Sequence, residues 1–300
     1  MEPWILITVG AAMAQTLRFM LQKQLKGLAL STAGATFARF VYSAPLVLAI
    51  AVSYARLTGQ GMPQLPASFW PYVLAGGTSQ ILATMCVVAL FSHRNFAVGI
   101  TFKKTEVLLS ALFGVLILGD IFTPLALMAM VIGFVGVILL SDNPSSDGRW
   151  HRRIFSKATA LGLGAGVLFG ISGNGYRGAS LSIGEGDVFY RAIVTLAFVT
   201  AFQTLAMALW MAWRQKGEVM RVFGAWRVAG LVGITSMIGS ICWFTAFTLQ
   251  NAAYVNAVGQ IELLFSLMIG AFVFGERVTR REWQGLSFLT VSIVTLVLVT

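Results

Sequence analysis

Residues 97–120, AVGITFKKTEVLLSALFGVLILGD, decide how the rest of the chain is read. The stretch is long and apolar enough for a membrane helix, which needs about 20 residues to cross the hydrocarbon core. It nevertheless carries Lys103, Lys104 and Glu106 at a depth where charge is expensive. Residues 253–276, AYVNAVGQIELLFSLMIGAFVFGE, repeat the pattern at an offset of 156. Glu106 then meets Glu262, Ser110 meets Ser266, Gly114 meets Gly270, Gly119 meets Gly275 and Asp120 meets Glu276. Two similar helices with a carboxylate at matching depth imply a protein built twice around one polar site.

Composition agrees with a membrane setting. Of the 300 residues 57% are hydrophobic and only 11% are charged, whereas soluble domains carry roughly 25% charged residues. The formal charge of +10 does not indicate nucleic acid, because the basic residues collect between the apolar segments rather than in a basic domain. Cys86 and Cys242 lie inside apolar segments and read as small buried hydrophobes. No metal site is expected from two cysteines and two histidines without ligand spacing, and no GxxxxGK[ST] phosphate loop is present. No cofactor is expected. The N-terminal MEPWILITVGAAMAQ lacks a basic leader and reads as the first span.

Ten spans are expected: 3–22, 36–54, 69–91, 97–120, 123–140, 158–176, 188–213, 228–249, 253–274 and 283–299. The sequence SDNPSSDGRWHRRIFSK, 141–157, is a polar linker between two five-helix repeats, 1–140 and 158–300. Three further matches support the duplication. FARFVYSAPLVL (37–48) resembles FYRAIVTLAFVT (189–200) at an offset of 152, pairing Arg39 with Arg191. Thr78–Ser79 pairs with Thr235–Ser236 at 157, and Lys23 with Arg177 at 154. An odd number of spans per repeat makes the second repeat enter the membrane upside down, an all-α inverted repeat. Lys23, Lys26, His93, Arg94, the 149–157 cluster, 214–227 and 277–281 all fall in odd-numbered connections. That bias predicts a cytoplasmic linker and both termini on the outer, periplasmic side.

The Arg39–Phe40 pair near the start of the second span, the Gly119–Asp120 and Gly275–Glu276 endings and the five-plus-five duplication resemble the EamA-type drug/metabolite transporters. The resemblance covers nearly the whole chain. It implies ten helices around a central cavity in the bacterial inner membrane, and secondary transport of a small organic solute. Lys104 and Glu106 stand where the nucleotide-sugar branch has a Gln-x-Lys, so that cargo is not implied. Gln15 and Arg18 occupy the first helix, where small multidrug relatives use a Glu.

The candidate substrate-binding residues are Lys103, Lys104, Glu106, Glu262, Arg39, Arg191, Gln15, Gln80, Asn174, Asn256, Gln260, Trp243 and Tyr254. Each puts charge, an amide or an aromatic face at membrane depth, where polar groups must find a partner or water. Lys103 precedes Glu106 by one turn, close enough for an ion pair. Glu262 has only Gln260 and Asn256 as nearby polar residues in sequence, so it is the expected proton-exchanging carboxylate. A mixed-sign cavity suits a zwitterionic or anionic metabolite such as an amino acid. Organic-cation efflux, a lipid-linked carrier flippase and a non-transporting scaffold are the other readings. Membrane lipid, protons and a small solute are the expected partners, with the oligomeric state left open.

Overall fold

A computed structural model of the chain describes residues 2–27, 30–61, 63–91, 102–141, 157–265 and 280–299. Every regular element among them is a helix. In chain order these are α1 (Pro3–Gly27), α2 (Thr32–Thr58), α3 (Phe69–Leu90) and α4 (Glu106–Phe113), which continues as a π-helical turn over Gly114–Leu118. Next come α5 (Pro124–Ser141), α6 (Lys157–Ser182), α7 (Val188–Arg214) and a short α8 (Glu218–Gly224). Then follow α9 (Trp226–Leu249), α10 (Ala252–Gly259) and α11 (Arg280–Val299).

By length and hydropathy, Pro3–Leu25 of α1, together with α2, α3, α7 and α9, can each cross a membrane. Residues 106–118, 124–139 and 283–299 form shorter apolar helices. The later part of the expected ninth span, with Ser266, Gly270, Gly275 and Glu276, lies outside the described residues, as does most of the 141–157 linker. The ten-span layout is carried forward as a proposal. One expectation is corrected directly: the basic connection after α7 is not a plain loop but holds α8, whose Glu218 is buried beneath α2.

The two halves are interleaved. α1 packs along α9 and α3 along α6, while α2 packs on α7 and α5 on α11. Each contact either joins a helix to its own repeat partner or exchanges first with third. That is the pattern a two-fold relation between repeats produces. Equivalent helices also run antiparallel. At one end Ser31, the N-cap of α2, accepts from Gly34 N–H at 2.9 Å and donates to Gln215 beyond the end of α7 at 3.0 Å. The Ser31 N–H donates to Glu218 at 2.6 Å. At the other end Asp187, the N-cap of α7, accepts from Tyr190 N–H at 2.9 Å and from Gln60 beyond α2 at 2.7 Å. Tyr54 donates to the same carboxylate at 3.0 Å. Each helix therefore begins where its repeat partner ends, the relation expected of an upside-down repeat.

Ser31 and Asp187 are themselves separated by 156 positions, the spacing of Glu106 and Glu262. In that register Arg39 matches Thr195, not Arg191. The match at 152 is one helical turn out of step, which apolar periodicity of 3.6 cannot distinguish from the true alignment.

Small residues set the packing of α6. A side-chain carbon on Gly170 would stand 3.2 Å from the Ser110 amide nitrogen of α4, and one on Gly175 would stand 3.0 Å from Gly76 Cα of α3. The glycine face is thus filled by neighbouring backbone, as in other close membrane crossings.

Asp187→Ala removes an N-cap and two inter-helix bonds, and should lower stability by about 1 kcal/mol, read as a reduced unfolding temperature in detergent. Burial by itself would raise this carboxyl, but the Tyr190, Gln60, Tyr54 and Phe189 hydrogen bonds bring it below its ordinary value. The contribution is therefore complete above the normal carboxylate range and fades only as pH falls through the lowered value.

Candidate functional site

The charged stretch is not one continuous helix. Phe102 and Lys103 are helical, Lys104 and Thr105 form a turn, and α4 begins at Glu106. The matching stretch breaks at the equivalent place: α10 ends at Gly259, Gln260 forms a turn, and residues 261–265 resume the helix. Each glutamate thus sits just past an irregular turn, through which tighter i→i+3 bonds such as Val107 N–H to Lys104 O and Leu263 N–H to Gln260 O carry the backbone. The expected uninterrupted helices are corrected to broken ones.

The two adjacent lysines point to different partners. Lys103 Nζ meets Glu106 Oε1 at 2.8 Å within its own segment and lies 4.9 Å from the centre of the Phe169 ring. Lys104 reaches across the repeat interface to Glu262. Gln15 Nε2 of α1 donates to the other Glu262 oxygen at 3.0 Å. The view of Glu262 as a carboxylate without a basic neighbour is therefore corrected. Its neighbour comes from the other repeat, which proximity in sequence could not reveal.

A polar cavity of about 50 Å³ lies beside these pairs. Gln15, Arg39, Gln80, Lys103, Glu106, Trp243 and Asn256 line it, all candidates from the sequence. Phe169, Ser172, Tyr176, Ser240, Phe244 and Phe247 complete the wall. These were missed because one hydroxyl or ring on an apolar helix gives no signal of its own. Asn256 donates to Ser110 Oγ at 2.8 Å, tying α10 to α4. Tyr176 stacks on Phe244 at 4.2 Å and Trp243 on Phe247 at 5.6 Å, forming an aromatic part of the wall.

Arg39 is 8% exposed and donates to Thr84 Oγ1 at 3.0 Å and to Ser240 Oγ at 3.5 Å. The Gln80 amide, oriented from its surroundings, faces its oxygen to Arg39 Nη1 at 2.7 Å and its nitrogen to Ser172 at 2.7 Å. Arg18, buried on α1, donates to Gln15 Oε1 at 3.3 Å. A small extension of the polar space joins it to Arg39, Gln15, Ser240 and Trp243. Neither arginine has an acidic partner among the described residues, whereas both lysines do. The site therefore carries an excess of positive charge.

Other candidates fall elsewhere. Lys104 and Gln260 line a separate small space beside α5 and α11. Asn174 is wholly buried and donates to the Ser110 and Gly170 carbonyls. Tyr254 packs edge-on against Phe122. Arg191 sits one turn into α7 and does not line the cavity, as the corrected register explains. A larger space of about 330 Å³ between α2 and α7 is lined mainly by apolar residues, Tyr190 and Phe198 among them, with Arg56 and Gln60. It offers no convergent polar groups.

The fold and site define a multi-pass helical membrane protein made of two intertwined halves around a polar chamber. The sequence matches the EamA-like transporter family model twice, over residues 2–142 and 156–298, and the chain belongs to that family, within the drug/metabolite transporter superfamily. Members of the family are transporters rather than enzymes. No curated protein matches the chain. Among solved structures, one crystal structure aligns at 14% identity with a TM-score of 0.65, over 97% of this chain and 99% of the other, a likeness of fold.

Lys104→Met leaves Glu262 buried opposite an apolar side chain and should cost about 3–5 kcal/mol. The double variant Lys104→Met/Glu262→Gln should recover most of that loss. Thermal unfolding of the four proteins in detergent measures the coupling.

Proposed function

We propose that this chain is a secondary transporter carrying a small anionic or zwitterionic organic metabolite across the bacterial inner membrane by alternating access. The observation that carries the reading is the uncompensated charge of Arg39 and Arg18 at the polar chamber. Arg18 Nε is buried without a hydrogen-bond partner among the described residues, and a guanidinium without an acid suits a carboxylate or phosphate. Lys103 and Glu106 present a neutral pair on the same wall. A solute amine can accept the Glu106 contact while its acidic group faces Arg39. The aromatic side receives the rest.

At about 50 Å³ the chamber holds only a few waters, so a metabolite requires the halves to part. An upside-down repeat supports two such arrangements of similar energy, and a ligand shifts between them only by its differential affinity. The excess of basic residues in odd-numbered connections supports outer termini and a cytoplasmic linker. Organic cations are disfavoured by the same arginines. A flippase opening at α6 is disfavoured because its glycines are packed against α3 and α4.

A thermal-shift screen of purified protein with organic anions, zwitterions and cations tests the cargo class. Anions or zwitterions should stabilise the wild type, and Arg39→Gln should weaken them about ten- to hundredfold, the worth of a charge-assisted hydrogen bond. Stabilisation by cations alone, unaffected by Arg39→Gln, contradicts the reading.

A further inference from the structure

The end of α4 holds a second polar arrangement, apart from the chamber. Over Gly114–Leu118 the helix widens to a π-turn, and Gly119 takes the left-handed conformation at φ 69°. The Gly119 N–H then bonds Val115 O at 3.2 Å and the Asp120 N–H bonds Gly114 O at 3.0 Å. This closure folds Asp120 back over Gly114. The point where a side-chain carbon on Gly114 would stand lies 2.7 Å from Asp120 Oδ2 and 3.2 Å from Asn174 Oδ1. Glycine leaves that space open, and the two oxygens share it.

Both oxygens are buried and neither has a hydrogen-bond partner. The Asn174 orientation is fixed, because its nitrogen donates to the Ser110 and Gly170 carbonyls at 2.9 Å each. Turning the amide would break both bonds. Two acceptors thus face one pocket without a donor, an arrangement that is destabilising as long as neither carries a proton. The groups facing Asp120 from packed helices are Arg177 on α6 and Tyr254 on α10. Arg177 Nε, itself without a hydrogen-bond partner, forms a long ion pair of 4.0 Å with Asp120 Oδ1, the other carboxyl oxygen, while Nη1 donates to the Phe247 carbonyl at 2.9 Å. Arg177 thus faces Oδ1 and leaves Asp120 Oδ2 and Asn174 Oδ1 without a donor. A hard metal ion wants about six oxygens, and two are on offer. A proton needs only a donor oxygen and an acceptor oxygen.

We propose that Asp120 and Asn174 form a proton-binding site: the protonated Asp120 carboxyl donates to Asn174 Oδ1 and fastens the end of α4 to α6. Proton coupling through this pair rests on the transport function proposed above; the site itself does not. It takes the place of Glu262, whose carboxylate is paired with Lys104. The bond to Asn174 Oδ1 exists only while the Asp120 carboxyl is protonated, and the ion pair with Arg177 opposes it. A group raised in the folded state contributes stability that is complete below the unfolded value of about 3.9 and is lost as pH rises through the folded value.

The test uses the full chain in lipid nanodiscs, following the carboxylic-acid C=O infrared band and the unfolding temperature as pH is raised from 4 to 8. In the wild type, part of the band and part of the thermal stability should disappear together, above the ordinary carboxylate range. Asp120→Asn supplies a permanent donor to Asn174, so that band component should be absent and the unfolding temperature level across the window. Asn174→Ser withdraws the acceptor and should move the midpoint down by about one pH unit. A wild-type protein without a carboxylic-acid band above the ordinary range overturns the proposal, as does an Asp120→Asn curve identical to the wild type. Neither readout involves transport, so a failure to find cargo leaves this result standing.

Discussion

Charge placed inside a bilayer must be matched, and the way this chain matches it organises the whole molecule. Two helices break at equivalent positions, each just before a glutamate, and the adjacent lysines reach different partners. One lysine closes on its own helix at Glu106. The other crosses to Glu262 in the opposite repeat. Unpaired, either carboxylate would cost several kcal/mol at that depth. The crossing pair can form only when the two repeats are assembled, so it ties the interleaved packing of α1 on α9 and α3 on α6 to the centre of the membrane. A device that keeps the halves in register also defines where they meet.

Around this neutralised pairing the residual charge is positive. Arg18 and Arg39 are buried among amides and hydroxyls rather than acids. Such groups are costly unless something anionic uses them, which gives the chamber its proposed selectivity. Aromatic stacks and the Gln80–Ser172 contact complete its wall around a space of about 50 Å³. The polar pair at the end of α4 is separated from this wall by Ser110, whose hydroxyl accepts from Asn256 and whose carbonyl accepts from Asn174. Ser110 thus joins the chamber to the proposed proton site through one residue, with both bonds directed at the same turn of α4.

Much of this was legible in the sequence. Charged residues on an apolar background marked Lys103, Glu106 and Glu262, and a recurring spacing exposed the duplication. The Lys103–Glu106 pair followed from a separation of three. What could not be read depended on contacts between distant segments. Lys104 and Glu262 are 158 positions apart, and nothing local to either joins them. Arg191 was matched to Arg39 because apolar periodicity tolerates a slip of one turn, which the caps at Ser31 and Asp187 resolve. Helix breaks at Lys104 and Gln260 carry no proline or glycine at the turn itself, so composition did not announce them. Phe169, Tyr176 and Phe244 entered the wall only through packing.

The central claim is that one chamber, shared by two oppositely inserted halves, opens to each side of the membrane in turn. Ser240 lines that chamber beside Arg39. With Cys86 and Cys242 replaced by serine and Ser240 by cysteine, a membrane-impermeant thiol reagent can be applied to sealed vesicles from either face. The account predicts labelling from both faces, slowed by bound anionic or zwitterionic solute. Labelling from one face only, or from neither, would contradict it.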